Sequence, residues 1–367
     1  MDSYDLIVCG GGPAGIGAAV SAAKLGLKVA IVERNSFLGG NWTNGYVLSI
    51  LGMYTYSGKT KIVGGIADYI VDELKKEGGT KGKVGNFVPF RPDEMKLMLE
   101  RICKENGIDV YFNSLVSSAS VEDKSIKSIG ISSKAGKLSI SAKVFVDSSG
   151  DADLATAAGN MTISGKEANG EHQQATIPFR IGNVDEEKVI EYAKEHSEEM
   201  NITFGEDRKL SRIRILEKLV EPAKESGELY MPFGNSIFLF NTSKDGEYVC
   251  NGSHSNVTDY RNGKELAISI EEARKQVFSI YNYLRSIPGF ENSYLVDSAP
   301  GIGLRETRRA IGDYILKKSD VLGNARFEDK IVRCGHPIEV HDPEKGVYYE
   351  HLLGGDDSWY EIPYRAI

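Results

Sequence analysis

The sequence predicts an α/β fold in which a parallel sheet joined to a β-meander is interrupted by an inserted α+β domain. Three observations carry that reading. An apolar run at residues 4–9 breaks into Gly10-Gly11-Gly12-Pro13 and continues as a helix of small residues. Approximate alternation around residues 126–142 gives way to the continuously apolar Val144-Phe145-Val146. Residues 165–300 then lose the glycine-rich turn-helix pattern and carry charged helical segments between short strands. A chain of 367 residues has room for about two or three such units, or for one large unit with an insertion.

Tyr4 to Cys9 reads as a buried parallel strand entering a tight turn. From Ala14 to Leu25 the residues are small or apolar (Ile16, Ala18, Ala19, Val20, Ala22, Ala23), and Gly26 stands where a helix-terminating glycine belongs. Leu27 to Val32 is a second buried strand, ending at Glu33. Arg34 to Lys61 is rich in Gly, Asn, Ser and Tyr without periodicity, and long ordered loops of this kind are usually functional. Residues 65–77 put Ile66, Ile70, Val71 and Leu74 on one helical face. A further helix follows Arg91, with Pro92 in its first position, Asp93 and Glu94 in its first turn, and Asn106-Gly107 at its end. Ile108 to Phe112 is the next strand. Two alternating stretches follow, around Ile126, Ile129 and Ile131 and around Leu138, Ile140 and Ala142, linked by a turn at Lys134 to Lys137. The change to Val144-Phe145-Val146 predicts a move from a sheet edge into a buried parallel position. Helices over Asp185 to Glu199 and Ile270 to Leu284, and a strand at Ser236 to Phe240, place the inserted domain at 165–300. The first domain is thereby split into 1–164 and 301–367.

Hydrophobic residues at 41% and charged residues at 26% exclude a disordered or fibrous class. Forty glycines point to many tight turns or backbone contacts with a ligand. The net charge of −8 argues against a nucleic-acid surface. Cys9, Cys103, Cys250 and Cys334 form no C-x-x-C pair and have no zinc-like spacing, so they are expected to be reduced, mostly buried and without metal. Residues 1–3 lead straight into the first strand, without the basic and apolar regions of a signal peptide. No run approaches the roughly 20 apolar residues of a membrane span. The expected location is the cytoplasm, and the residues do not specify an oligomeric state.

Gly10-x-Gly12-x-x-Gly15, between a strand and a helix, is the dinucleotide fingerprint. One glycine makes the turn, one lets the backbone approach a pyrophosphate, and one permits close packing. Pro13 and Ala14 lie in the turn where the helix N-terminus faces the phosphates. Glu33, followed by Arg34, ends the second strand, where a carboxylate accepts bonds from both ribose hydroxyls of an adenosine. NAD and FAD share this start. A plain NAD domain continues with another helix and strand soon after the acidic residue. This chain instead opens a long excursion at Leu38-Gly39-Gly40-Asn41-Trp42-Thr43, and it returns to the parallel sheet only near Val144.

In these residues the sequence resembles the FAD-dependent oxidoreductases of the glutathione-reductase-like superfamily. The resemblance implies a Rossmann-like FAD-binding domain with a parallel sheet and β-meander, plus an inserted α+β substrate or cap domain. Three segments carry it. The first is the start just described, including the loop of Gly39, Gly40, Asn41 and Trp42, which in such flavoproteins runs beside the pyrophosphate and ribityl chain. The second is Val146-Asp147-Ser148-Ser149-Gly150-Asp151-Ala152-Asp153, similar to the family's Asp-Ala-Thr-Gly-Asp-x-Asp signature. Ser148 and Ser149 replace Ala and Thr, and Ser149 keeps a hydroxyl, so Ser149, Gly150 and Asp151 are implied as cofactor contacts. The third runs from Gly303-Leu304-Arg305-Glu306-Thr307-Arg308-Arg309 through Gly312-Asp313-Tyr314, His336 to Asp342 and Ile362-Pro363-Tyr364-Arg365. This set looks like a less characterised branch of FAD-dependent oxidoreductases and covers the chain nearly end to end.

In related flavoproteins the strand after the second helix lends backbone groups to the adenine, which maps onto Leu115-Val116 and makes Val116 a candidate contact. There is no second G-x-G-x-x-G and no cysteine near Gly40, which argues against a disulfide reductase. The first flavin-contacting loops hold no His or Cys, so the expected FAD is non-covalent. Beyond the counterpart of Ile362 to Ile367 the family continues into a Gly-Arg segment and a glycine- and alanine-rich helix that complete the flavin site. That difference raises an alternative expectation, a non-catalytic FAD- or adenosine-binding homologue acting as a binding or assembly partner.

A flavin oxidoreductase needs a hydride donor against the ring, a group that moves a proton, and often a cation. Arg305, Arg308, His336 and His341 lie in the third segment. Arg305 is the candidate cation and His341 the candidate proton carrier. The expected reaction is hydride transfer between a small organic substrate and FAD.

Overall fold

In the computed structural model, residues 3–166, 170–205, 207–257, 259–342 and 346–367 are described. The chain opens with β1 (Ser3–Cys9), α1 (Pro13–Lys24) and β2 (Val29–Val32), and Gly26, at φ +83°, turns the chain out of α1. Short strands β3 (Ser49–Ile50) and β4 (Val88–Pro89) pair with each other on either side of α2 (Ile66–Lys76). Next come α3 (Pro92–Glu105), β5 (Asp109–Tyr111) and the meander β6 (Leu115–Glu122), β7 (Ser125–Ser133) and β8 (Gly136–Asp147). The sheet order is β5-β2-β1-β8-β7-β6. From β5 to β8 the strands are parallel, and β8, β7 and β6 are antiparallel. Met95, Met98, Leu99 and Ile102 of α3 are wholly buried, the i, i+3, i+4, i+7 face of an amphipathic helix.

β8 joins the meander to the parallel sheet, as its change of pattern predicted. Its burial differs from the prediction: Val144 is 56% exposed, because α1 lies over β1 and β2 and α3 over β5, leaving the β8 edge of that face open. β6 is a meander strand whose residues LVSSASVE are mostly exposed, so no apolar alternation marked it. β6 is the outer strand of the sheet, whereas Val144 lies on the inner strand β8, where its face is left partly uncovered.

After α4 (Asp153–Ala157) and β9 (Thr162–Ser164), a second sheet is built from β10 (Phe179–Gly182), β11 (Met200–Phe204), β12 (Leu210–Ile215), β13 (Ile237–Asn241), β14 (Tyr248–Cys250) and β15 (Tyr294–Ser298). Its order is β11-β12-β13-β14-β10-β15, antiparallel throughout. Its helices are α5 (Glu186–Glu195), α6 (Glu217–Ser226) and α7 (Gly263–Leu284). α5 is shorter than its charge pattern indicated, and α6, which contains Pro222, carried no clear signal. α7 starts at an Asn262 cap whose side chain accepts from the Lys264 N–H at 3.1 Å, earlier than its apolar periodicity showed. The remaining chain forms β16 (Arg308–Ala310), paired with β9, then α8 (Lys318–Leu322) and small two-stranded sheets. These join β17 (Lys330–Cys334) to β20 (Tyr360–Pro363), and β18 (Ile338–Asp342) to β19 (Gly346–Glu350).

One apolar core runs from Val8, Ile16 and Ile31 through Leu48 and Met53 to Phe179, Ile213 and Leu239, so the two sheets share it. A polar bolt crosses the same boundary. Arg180 grips Asp297 with Nε and Nη2 at 2.9 and 2.6 Å and Glu247 with Nη1 at 3.2 Å, while the Tyr46 hydroxyl donates to Asp297 at 2.8 Å. The four cysteines are free; Cys9, Cys103 and Cys250 are buried and Cys334 is half-buried. Among the described residues no helix is long and apolar enough to cross a membrane, and no group of three or more His, Cys, Asp or Glu side chains is placed to hold a metal ion.

Candidate functional site

Three backbone loops meet at the C-terminal end of β1 at distances that exclude side chains. A Cβ on Gly10, which has φ +105°, would lie 2.4 Å from the Ser148 carbonyl oxygen. One on Gly15 would lie 1.9 Å from the Gly10 carbonyl oxygen, and one on Gly40 would lie 2.9 Å from the Gly12 Cα. The fingerprint turn, the Gly39–Trp42 turn and the Ser148 loop are thereby held against one another. α1 begins at this junction with Pro13, with no acidic residue in its first turn and no side-chain cap. Its first N–H groups are left for a ligand, and the helix end favours an anion. A pyrophosphate fits this cradle chemically. Pro13, Ala14 and Asn41 are exposed along its rim.

Glu33 is 4% exposed. Its Oε2 accepts from the Gly11 N–H at 2.8 Å, and its Oε1 accepts from Asn35 N and Nδ2, each at 2.8 Å. A carboxylate has roughly four acceptor positions, so this one ties down the glycine loop and still has capacity for a ribose hydroxyl. Arg34 leaves that neighbourhood, its side chain 53% exposed, and pairs with Asp151 at 2.9 Å. Gly39, at φ +112°, donates to the Gly11 carbonyl at 2.9 Å; Trp42 packs edge-on against Phe90 at 6.2 Å.

The loop after β8 is organised by its own side chains. Asp147 Oδ1 accepts from Ser149 N and Oγ at 3.0 and 2.7 Å, and Asp147 Oδ2 accepts from Ala155 N at 2.9 Å. Ser149 Oγ accepts from Asp153 N at 2.9 Å, and Gly150 takes φ +78°. Ser149 keeps the hydroxyl of the resembled motif and uses it to close this loop. Asp151 accepts from the Thr307 hydroxyl at 2.7 Å, and Arg308 donates to the Asp151 carbonyl at 2.9 Å and pairs with Asp153. Burial and the nearby Asp151 push the Asp153 carboxyl above its usual range, against the pull of Arg308. Val116 stands apart from these groups. It pairs with Ile131 between β6 and β7 and packs against the core of Tyr4, Ile7 and Ile129, whereas Tyr111 and Ser114 are the residues bonded to the Glu33 backbone.

A second cluster lies across the strand-like residues 173–176. Gly301 donates to the Asn44 carbonyl at 3.0 Å and Gly303 to the Thr176 carbonyl at 2.7 Å, so residues 301–307 run from the Trp42 turn to Asp151. Arg305, midway along, donates to the Gln174 carbonyl. Burial lowers its guanidinium to about 10, opposed by Glu339, so it stays cationic at neutral pH. His341 brings Nε2 within 3.0 Å of Glu339 Oε1, and its ring lies 5.9 Å from that of His254. Burial raises the Glu339 carboxyl, yet the bonds from His341 and Tyr349 and the charge of His336 hold it below its usual range. One correction follows. Arg308, grouped with Arg305 by sequence proximity, serves the Asp151–Asp153 loop, whereas His336 stays beside the cluster, with Nε2 4.0 Å from Glu339 Oε2 and its ring 5.6 Å from that of Tyr56. His254, on neither motif, was not legible as a site residue.

His254 is 9% exposed and is pushed by burial, with Arg305 and His341 nearby, from 6.5 down to about 3. The unfolded chain takes up this proton near 6.5 and the folded chain only near 3, so the stability contributed by the neutral ring is complete above 6.5 and is lost as pH falls through that window. Acid denaturation followed by fluorescence should therefore be shallower across that interval in His254→Asn than in the native protein. An equally steep loss in both would reject the assignment.

The parallel sheet with its meander, the glycine cradle and the buried acidic residue after β2 define a dinucleotide-binding flavoprotein fold. The chain belongs to the FAD dependent oxidoreductase family, whose model matches residues 5–367, and its cofactor is FAD. Over 42 residues it is 55% identical to the soluble pyridine nucleotide transhydrogenase of Ectopseudomonas mendocina, covering 11% of this chain and 9% of that protein. Over 44 residues it is 57% identical to dihydrolipoyl dehydrogenase 3 of Pseudomonas aeruginosa, covering 12% of this chain and 9% of that protein. The chain thus matches less than a tenth of the length of these curated relatives. The myxobacterial chondrochloren halogenase CndH shares the fold, with a TM-score of 0.50 at 18% identity over 86% of this chain and 67% of the halogenase.

Proposed function

We propose that the protein transfers a hydride between a small organic substrate and FAD, with the substrate held against residues of the 165–300 domain. Gly10, Gly12, Gly15, Glu33, Gly39, Gly40 and the Ser149–Asp151 loop would hold the cofactor. Bound there, FAD supplies a two-electron acceptor or donor. Arg305 holds an anionic group of the substrate, and His341, its Nε2 tied to Glu339, exchanges a proton through Nδ1. The observation that supports this reading is the course of residues 301–307, bonded at one end beside the Trp42 turn and at the other to Asp151, with Arg305 between them. A guanidinium is thereby carried on a segment that borders both loops assigned to FAD, and the His341 imidazole reaches the same cluster from β18, whose backbone N–H at His341 donates to Gln173 Oε1.

The first test is the visible spectrum of the purified protein, which should be yellow and should release FAD on denaturation. A colourless protein that cannot be reconstituted would reject the reading. With a reductant found by anaerobic screening, Arg305→Ala and His341→Ala should keep FAD but reduce it roughly a hundredfold more slowly, the usual effect of losing a charge-stabilising or proton-transfer group. Native rates in both variants would remove them from the mechanism.

A further inference from the structure

The cluster around Arg305 has an unusual inventory of unpaired groups. Four of the eight buried side-chain atoms that lack a hydrogen-bond partner among the described residues lie on or beside the run 172–175: His172 Nδ1, Ser255 Oγ, the Tyr260 hydroxyl and His341 Nδ1. Ser255 pairs through its backbone with Ala175, the Tyr260 ring lies 5.3 Å from His172, and the His341 N–H donates to Gln173 Oε1 at 3.2 Å. Native folds leave few buried polar atoms unpaired, and a group of them marks a place where a ligand or water completes the bonding.

The chemistry of that ligand can be read from its surroundings. The guanidinium of Arg305 has a carbonyl partner, Gln174, and no carboxylate within ion-pair distance among the described residues, which leaves cationic N–H donors for an anion. Both imidazoles are held in defined tautomers. The Gly252 carbonyl accepts at 3.2 Å from His254 Nδ1, so the neutral ring has a lone pair at Nε2. Glu339 accepts from His341 Nε2, so that neutral ring has its lone pair at Nδ1. A cationic fork beside ring nitrogens that accept hydrogen is complementary to a carboxylate that carries a hydroxyl close by. The two imidazoles differ in one respect. His341 Nε2 has a carboxylate partner, Glu339, at 3.0 Å, whereas burial and Arg305 oppose a positive charge on His254.

We propose that this cluster binds an α-hydroxy carboxylate, with the carboxylate on Arg305, the hydroxyl donating to His341 Nδ1, and His254 as a neutral wall that positions the His341 ring. The proposal rests on the hydride-transfer reading and names its substrate class. In the reaction the C–H bond of the hydroxyl-bearing carbon breaks and its electron pair passes as hydride to FAD, while the hydroxyl proton passes to His341 Nδ1 and a C=O bond forms. The hydroxy acid is oxidised to a keto acid by two electrons, and the flavin is reduced by the same two.

The test uses α-hydroxyisobutyrate, which has no hydrogen on the hydroxyl-bearing carbon and so cannot give a hydride. Its affinity for the full FAD-bound chain, measured by titration calorimetry, is compared with those of isobutyrate, which lacks the hydroxyl, and α-hydroxyisobutyramide, which lacks the charge. The native protein should favour the hydroxy acid over isobutyrate by roughly threefold to tenfold, one net hydrogen bond, and over the amide by roughly tenfold or more, a charge-assisted contact. Arg305→Gln should erase the preference over the amide and keep that over isobutyrate; His341→Phe should do the reverse. These ratios are internal to each variant, so a general loss of stability does not imitate them. Ratios near one in the native protein, or ratios that persist in the variants, would overturn the proposal. Failure of hydride transfer itself appears separately, as a flavin that no oxidisable hydroxy acid bleaches while these binding ratios remain.

Discussion

Gly15→Ala is expected to yield a protein that does not retain FAD and melts well below the native chain, whereas Gly17→Ala, half a turn further along α1, should bind FAD normally and gain stability. The difference lies in what an added methyl group meets. At Gly15 it would sit 1.9 Å from the Gly10 carbonyl oxygen and 3.2 Å from Val8, so α1 must move off β1 or the phosphate turn must open. Backbone cannot yield as a flexible side chain does, and overpacking of this kind costs about 1–3 kcal/mol or more. The displaced group is the same loop that Glu33 ties down through Gly11, so the loss extends to the cofactor cradle. At Gly17 nothing lies within 4 Å, and alanine in a helix interior is favoured over glycine by about 0.5–1 kcal/mol. Absorbance after gel filtration and thermal melts of both variants check this; FAD retained at native stoichiometry by Gly15→Ala would refute it.

Arg180→Met should lower stability to urea by about 3–5 kcal/mol, the usual cost of leaving buried charge unpaired. Glu247 is the residue most affected, since its side chain is 4% exposed and would keep only Lys244 at 3.1 Å and the Thr242 hydroxyl at 2.8 Å. Asp297, with its side chain 35% exposed, would rehydrate in part and keeps its bond from Tyr46. Burial works against the Arg180 charge, but the Asp297 bonds outweigh it and hold the guanidinium above its usual range. The effect should be cooperative, because this ion pair and the shared apolar core bind both sheets into one unit. By contrast, Tyr46→Phe removes one hydrogen bond and should cost about 1 kcal/mol. A midpoint for Arg180→Met as close to native as that of Tyr46→Phe would show that the network contributes little.

The legible part of the site is local in the chain. Gly10 and Gly15 could be read because a strand, a turn and a helix within a few residues must pass one another closely and leave no room for a Cβ. At Gly12 a Cβ would meet only the Gly40 Cα at 3.7 Å, so its glycine is read from the fingerprint spacing. Glu33 was legible for the same reason, since it ends the strand that the helix returns to. The loop from Asp147 to Asp153 was visible as a motif, and the structure adds that Asp147 and Ser149 close it while Asp151 joins it to Arg34 and Thr307.

In the second cluster the structure brings together some of the residues that the sequence grouped and separates others. Arg305 and Arg308 looked like neighbours, but the chain bends at Arg305 and β16 begins only at Arg308, so Arg308 faces Asp151 and Asp153 while Arg305 faces Gln174. His254 belongs to no motif and follows the end of β14; it comes beside His341 through the pairing of Ser255 with Ala175 and the bond from His341 to Gln173. The sequence by itself determined the strand–glycine turn–helix start and the β-meander that returns to the parallel sheet, because those depend on short-range sterics and on apolar period. Only the tertiary structure decided which cation, imidazole and carboxylate share a site, because their meeting depends on pairings between segments dozens of residues apart, and no local preference of the chain encodes such a meeting.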